Sequence, residues 1–283
     1  MIDVDEVAAA LGVDFLGRLP HGEGTGAYAV RTPDGTSAVL KLFTGDVFDF
    51  NAPSAFIETL RARGYPAPRI YAAGVIDGVR YEVQERLAGE PLEQPARAHV
   101  EPLHALIERQ RDVGFPGRAP WVDDIVTSVL DGRSGYCEHA AMRAHSDATR
   151  ELLDRLQRVA DAASGVDVAT TDVVHYDFSP YNILVSGDRI TGVIDWDGAT
   201  SGDAAFDLVT LAAFTYDYGV RDQLLVVAAT MTDPAAIALY AAHMVLRQVD
   251  WSLRNHDDAT VQWFMGIGDA LLGRTAQIRR PGR

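Results

Sequence analysis

The chain has 283 residues, 47% of them hydrophobic, enough to bury one large core or two modest ones. Its 40 acidic against 25 basic side chains give a formal net charge of -15, which disfavours nucleic acid and anionic membrane as partners and attracts cationic ligands. A single cysteine, Cys137, excludes an intrachain disulfide and multi-cysteine zinc sites; the acidic N-terminal MIDVDEVAAALGVDF lacks a secretory pattern, so a soluble cytoplasmic protein is expected.

In chain order, residues 2 to 11 carry a partial helical periodicity with no chemistry attached. HGEGTG at 21 to 26 then sets Gly22, Gly24 and Gly26 at alternate positions between apolar segments. AYAV, a TPDGT turn and the strand SAVLKLF follow, giving strand, glycine loop, strand, turn, strand. Glycines let a backbone approach phosphates closely and expose its amides to them. Lys41 lies inside the apolar strand SAVLKLF, where an ammonium is costly unless an anion meets it. SAFIETLRARG reads as a helix whose one acid is Glu58, and GYPAP at 64 to 68 stops it. Two more strands follow around an Asp-Gly turn, and ERLAGEP at 85 to 91 reads as a polar crossing between lobes.

From residue 92 to 163 the apolar spacing is helical at 100 to 107, 122 to 130 and 152 to 159, with Asp123 and Asp124 favourably placed in a first turn. His139 and His145 lack the spacing of a helical metal pair and are read as structural.

The most specific stretch is VVHYDFSPYNILVSGDRITGVIDWD at 173 to 197. A short strand ends at His175, Asp177 falls on the loop that Pro180 keeps out of helix, and Asn182 opens a second apolar run. A turn at Ser186, Gly187 and Asp188 sends the chain back as a hairpin, delivering Asp195 beside Asn182. A carboxylate to orient an attacking hydroxyl, with Asp and Asn oxygens for a hard cation, is what phosphoryl transfer uses. HYDFSPYNILV followed by GVIDWDGATSGDAAFDL resembles the aminoglycoside phosphotransferase and choline kinase family, the small-molecule branch of the protein-kinase-like fold.

The resemblance implies a two-lobed α+β fold, with a small antiparallel-sheet lobe at 1 to 86 and a mainly helical lobe at 87 to 283. It implies Asp177 as catalytic base, Asn182 and Asp195 as Mg²⁺ ligands, and Lys41 with the glycine loop as phosphate binders. Glu58 is the candidate ion-pair partner of Lys41 by its place on the next helix, although the family's glutamate lies further ahead, near where this chain has Pro53; the alternative is an exposed acid pairing with Arg61 or Arg63. The Glu85 carbonyl and Leu87 amide map to adenine recognition. Asp203 resembles an N-cap and Asp207 a structural hydrogen-bonding acid; Asp197, two residues beyond Asp195, reads either as a support to the metal shell or as a turn acid. There is no DFG and no AlaProGlu segment, which disfavours protein substrates.

The expected activity is transfer of the γ-phosphoryl of ATP, with GTP left open, to a hydroxyl of a small molecule. Candidate acceptors are an aminoglycoside, another antibiotic or an amino sugar. Helices late in the chain line the acceptor site in that family, which makes Asp217, Asp250, Trp251 and Asp257 candidates for reading a polar or cationic acceptor. The alternative is a nucleotide-binding pseudoenzyme or sensor on the same scaffold.

Overall fold

The computed structural model describes residues 4–19, 26–43, 54–113 and 121–278. In chain order the regular elements begin with α1 (Val4–Leu11), β1 (Asp14–Arg18), β2 (Gly26–Arg31), β3 (Ser37–Phe43), α2 (Ser54–Ala62), β4 (Ile70–Ile76), β5 (Val79–Glu85) and β6 (Glu90–Pro91). There follow α3 (Val100–Gln110), α4 (Trp121–Leu130), α5 (His139–His145), α6 (Asp147–Ala162), β7 (Asp172–Val174), β8 (Ile183–Ser186), β9 (Arg189–Val193) and β10 (Thr200–Gly202). The chain finishes with α7 (Ala205–Ala213), α8 (Tyr218–Met231), α9 (Pro234–Asn255) and α10 (Asp258–Thr275). Among the described residues no helix is long and apolar enough to cross a membrane.

Two compact units divide the chain: residues 1–92 with 181–198, and residues 93–180 with 199–283. The sequence boundary at 86/87 placed residues 87–92 and 181–198 together in the second lobe, whereas both segments fall in the first unit, bonded to each other and, through Val193, to Pro66. β6 pairs with β8, Leu92 N–H donates to the Ile183 carbonyl at 2.8 Å, and Val193 N–H donates to the Pro66 carbonyl at 2.8 Å.

The first unit is built on an antiparallel sheet of order β1-β2-β3-β5-β4. Its central strand β3 is buried from Ala38 to Leu42 and packs with Val30 and Val83 against Val7 and Ala8 of α1. The expected Asp-Gly turn is present: Asp77 and Gly78 both take positive φ (49° and 80°) between the paired Ile76 and Val79, the geometry of a tight hairpin.

In the second unit α7 is buried along its whole length, and α9, 22 residues long, contributes most of its side chains to the interior. Acids fix the helix starts. Asp217 caps α8, Asp233 caps α9 ahead of Pro234, and Asp257 caps α10, each accepting a first-turn backbone N–H that would otherwise lack a partner. Asp203 behaves similarly one residue ahead of the α7 cap position, accepting Ala205 N–H at 3.0 Å and the Tyr240 hydroxyl at 3.0 Å. The strands β7 and β10 pair with each other, which sequence reading did not anticipate. Gly202 in β10 lies against the Trp121 ring, so close that a Cβ there would sit 2.4 Å from ring carbon Cδ2.

Candidate active site

The hairpin β8–β9 sets two oxygen donors side by side. Ile183 pairs with Val193, and the next residue out, Ile194, donates its N–H to the Asn182 carbonyl at 2.9 Å. Asp195 therefore follows directly after the rung that Asn182 closes. It takes φ 66°, a left-handed conformation uncommon outside glycine, of the kind that clusters at functional sites.

Lys41 is 4% exposed in the middle of β3, in register with Ala27 on one side and Glu82 on the other. Its ammonium lies 2.7 Å from Asp195 Oδ1 and 2.5 Å from Asp197 Oδ2. Burial alone would lower the lysine's pKa, but the two carboxylates outweigh it and the net shift is upward. One ammonium cannot neutralise both acids: burial pushes Asp197 up to about 7 against the pull of Lys41, with the Asp195 charge adding to the rise. Glu82, across the sheet from Lys41, is also raised by burial, offset in part by Lys41 and Arg80.

In the second unit, β7 ends ahead of a loop held through its backbone. The buried carboxylate of Asp207, on α7, accepts His175 N–H at 2.8 Å, Tyr176 N–H at 3.0 Å and the Gln110 side-chain amide at 2.7 Å. Burial raises Asp207 to about 7 despite these donors. The acid that sequence reading took as structural does that work here. Tyr176 sits at φ 73° and is fixed from every side. Its ring stacks on Phe206 with centroids 5.3 Å apart, and its hydroxyl lies 3.0 Å from the Tyr136 hydroxyl and 3.2 Å from His243 Nε2. Asp177 follows, 41% exposed, with Arg247 of α9 donating to its Oδ1 at 3.2 Å.

Other sequence candidates are placed differently. Gly22 and Gly24 lie outside the described residues, and Gly26 opens β2 in register with Leu42. Glu58 is exposed on α2, while the ion pairs of Lys41 run to Asp195 and Asp197. Glu85 ends β5; its carboxylate accepts from Arg61 at 2.9 Å and from Arg69 N–H at 3.1 Å, so its side chain anchors the crossing segment. Leu87 packs over Gly192, where a Cβ would meet Leu87 Cδ1 at 2.8 Å. Of the acceptor candidates, Asp217 and Asp257 are the α8 and α10 caps described above, and Asp250 is fully buried, bonded to Arg254 at 2.7 Å. Trp251 is 44% exposed, with the Arg254 guanidinium 5.9 Å from its ring centroid. Arg247 was missed. A basic residue one turn past His243, on a face that also buries Tyr240, was the signal available.

Among the described residues there is no group of three or more His, Cys, Asp or Glu side chains able to hold a metal. Asn182 and Asp195 instead lie at the same end of the β8–β9 hairpin and offer hard oxygens in a locality with two carboxylates to one ammonium. That fits Mg²⁺, which takes one or two protein carboxylates and completes its shell with phosphate oxygens and water.

No curated protein sequence matches the chain. Among solved structures it is similar to a thermostable mutant of aminoglycoside phosphotransferase APH(4)-Ia in ternary complex with ADP and hygromycin B, at 19% identity and TM-score 0.69, covering 97% of this chain and 99% of that one. It is also similar to the amicoumacin kinase hAmiN in complex with AMP-PNP, Ca²⁺ and Ami, at 14% identity and TM-score 0.63, covering 97% and 94%. The choline kinase LicA from Streptococcus pneumoniae matches at 16% identity and TM-score 0.60, covering 95% and 97%. At such identities the likeness establishes the two-lobed α+β kinase-like fold. The phosphotransferase enzyme family (APH) matches residues 17–240, most of the chain, and with that match this protein belongs to the family and is a small-molecule kinase.

Proposed function

We propose that the protein transfers the γ-phosphoryl group of ATP to a hydroxyl of a polyhydroxylated small molecule. The observation that carries this reading is Lys41: a buried ammonium drawn onto Asp195, the residue just beyond the Asn182–Ile194 rung of the hairpin. Lys41 would bind phosphate oxygens, and Asn182 and Asp195 would hold Mg²⁺. When bound, Mg²⁺ neutralises charge on the phosphates. The Glu85 carbonyl and Leu87 amide would take the adenine. Asp177 would accept a hydrogen bond from the acceptor hydroxyl and take its proton as the acceptor oxygen bonds to phosphorus and the bond to the β-phosphate breaks, releasing ADP. Positioning and electrostatics supply most of the rate in such chemistry.

The structural relatives were captured with ADP or AMP-PNP and with hygromycin B or Ami, which supports a nucleotide donor and a polar antibiotic-like acceptor. The net charge of -15 supports long-range attraction of a cationic acceptor. The test is Mg·ATP turnover over a panel of aminoglycosides, amino sugars, choline and neutral macrolides, with product mass increased by one phosphoryl group. A cationic acceptor should show apparent affinity falling as ionic strength rises from about 0.01 to 0.15 M, where the Debye length shrinks from roughly 30 to 8 Å. Nucleotide binding without turnover on any acceptor would favour the pseudoenzyme.

A further inference from the structure

The side chain that meets Asp177 comes from α9, seventy residues later in the chain, and it grips two consecutive residues at once. Arg247 Nη2 donates to Asp177 Oδ1 at 3.2 Å, and Nη1 donates to the Tyr176 carbonyl at 3.0 Å. Its guanidinium also lies 5.1 Å from the Tyr176 ring centroid. Burial by itself would lower the pKa of Arg247, but Asp177 and the surrounding groups reverse this, so the guanidinium is a fixed cation.

An exposed ion pair contributes little and exchanges partners freely. This contact differs in its support. Tyr176 is left-handed at φ 73°, a conformation that persists only when its surroundings over-determine it. Asp207 holds its N–H, Phe206 its ring, Tyr136 and His243 its hydroxyl. His243 is fixed in turn by Ser128 at 3.0 Å, and burial followed by the charges of Arg247 and Arg133 drives its pKa well down, so it stays neutral. Arg247 supplies the remaining anchor, on the Tyr176 carbonyl, and extends the same fork to the next side chain. A planar fork fixes the orientation of both partners in a way a point charge does not.

We propose that Arg247 is a positioning residue for phosphoryl transfer, holding the Asp177 carboxylate in the orientation that meets the acceptor hydroxyl. The proposal rests on the role assigned to Asp177 above. Its test is steady-state ADP release from Mg·ATP with water as the acceptor. Arg247→Ala should lower kcat by about 10²-fold, the scale of a small misplacement of a reacting group, with KM for Mg·ATP unchanged. Arg247→Lys, which keeps the cation and loses the fork, should recover part of the rate, and millimolar guanidinium should restore Arg247→Ala further. In an Asp177→Asn background Arg247→Ala should add no further loss. If Arg247→Ala misfolds, the same cycle is run with Arg247→Lys. Losses that add across the two sites, or a rise in KM with kcat intact, would overturn the assignment of Arg247 alone. Absence of ADP release by the wild-type protein with water and with every acceptor of the panel above would overturn the phosphotransfer reading together with it.

Discussion

Asp207 accepts the backbone N–H of Tyr176 at 3.0 Å, which ties the residue before the proposed base to the buried interior of α7. Because burial raises this carboxyl from 3.8 to about 7, the folded protein retains a proton there that the unfolded chain loses. Stability should therefore be fullest below the lower value, fall as pH rises through the window, and level off above it. Asp207→Asn should flatten that part of the curve and lower stability by about 1–3 kcal/mol, because a carboxamide cannot accept from all three donors. Thermal unfolding at a series of pH values measures both effects, and equal slopes for variant and wild type would refute the pH argument.

Removing the proposed base should separate chemistry from folding. Asp177→Asn is expected to lower turnover by roughly 10² to 10⁴ with nucleotide affinity retained, the range for a positioned acid or base. Asp195→Ala should instead abolish magnesium-dependent nucleotide binding, as read by titration calorimetry with and without Mg²⁺.

Lys41 faces Asp195 and Asp197, while Glu58 is exposed on α2. Lys41→Ala and Asp197→Asn should each impair turnover and show coupling in a double-mutant cycle. Glu58→Ala should stay close to wild type and combine additively with Lys41→Ala. Coupling between Lys41 and Glu58 would reverse this assignment.

Gly202 leaves no room for a Cβ against Trp121, whose indole is 4% exposed and hydrogen-bonded to Tyr240 at 3.0 Å. Gly202→Ala should therefore destabilise the protein by about 1–3 kcal/mol, measured by denaturant unfolding, since the ring cannot yield without breaking that bond.

The strand, loop and hairpin of residues 173 to 197 were legible because the segment is continuous in sequence and the turn between Asn182 and Asp195 has local signals. Lys41 was legible as a charge inside an apolar strand. One capping acid could have been recognised too: Asp257 is followed three residues later by Thr260, whose N–H and hydroxyl it accepts. The Asp250–Arg254 pair has the i,i+4 spacing of a helical ion pair. What sequence could not show was pairing over long separations. The contact of Arg247 with Asp177 and the choice of Asp197 over Glu58 beside Lys41 arise from tertiary packing, and local spacing does not encode it. The β7–β10 pair escaped notice because each strand is three residues long, too short for a periodic signal.

The β8–β9 hairpin has its metal-ligand candidates at the open end and its turn, Ser186 to Arg189, exposed at the other, with Gly187 at φ 60°. That polarity makes the turn a place to splice in foreign sequence, since exposed tips tolerate insertion and loop closure grows only slowly with length. A short epitope or fluorogenic tag inserted between Gly187 and Asp188 should leave the Ile183–Val193 rung in register and the enzyme active. Deleting a single residue from β9 would instead shift the register by one and turn Asp195 away from Asn182.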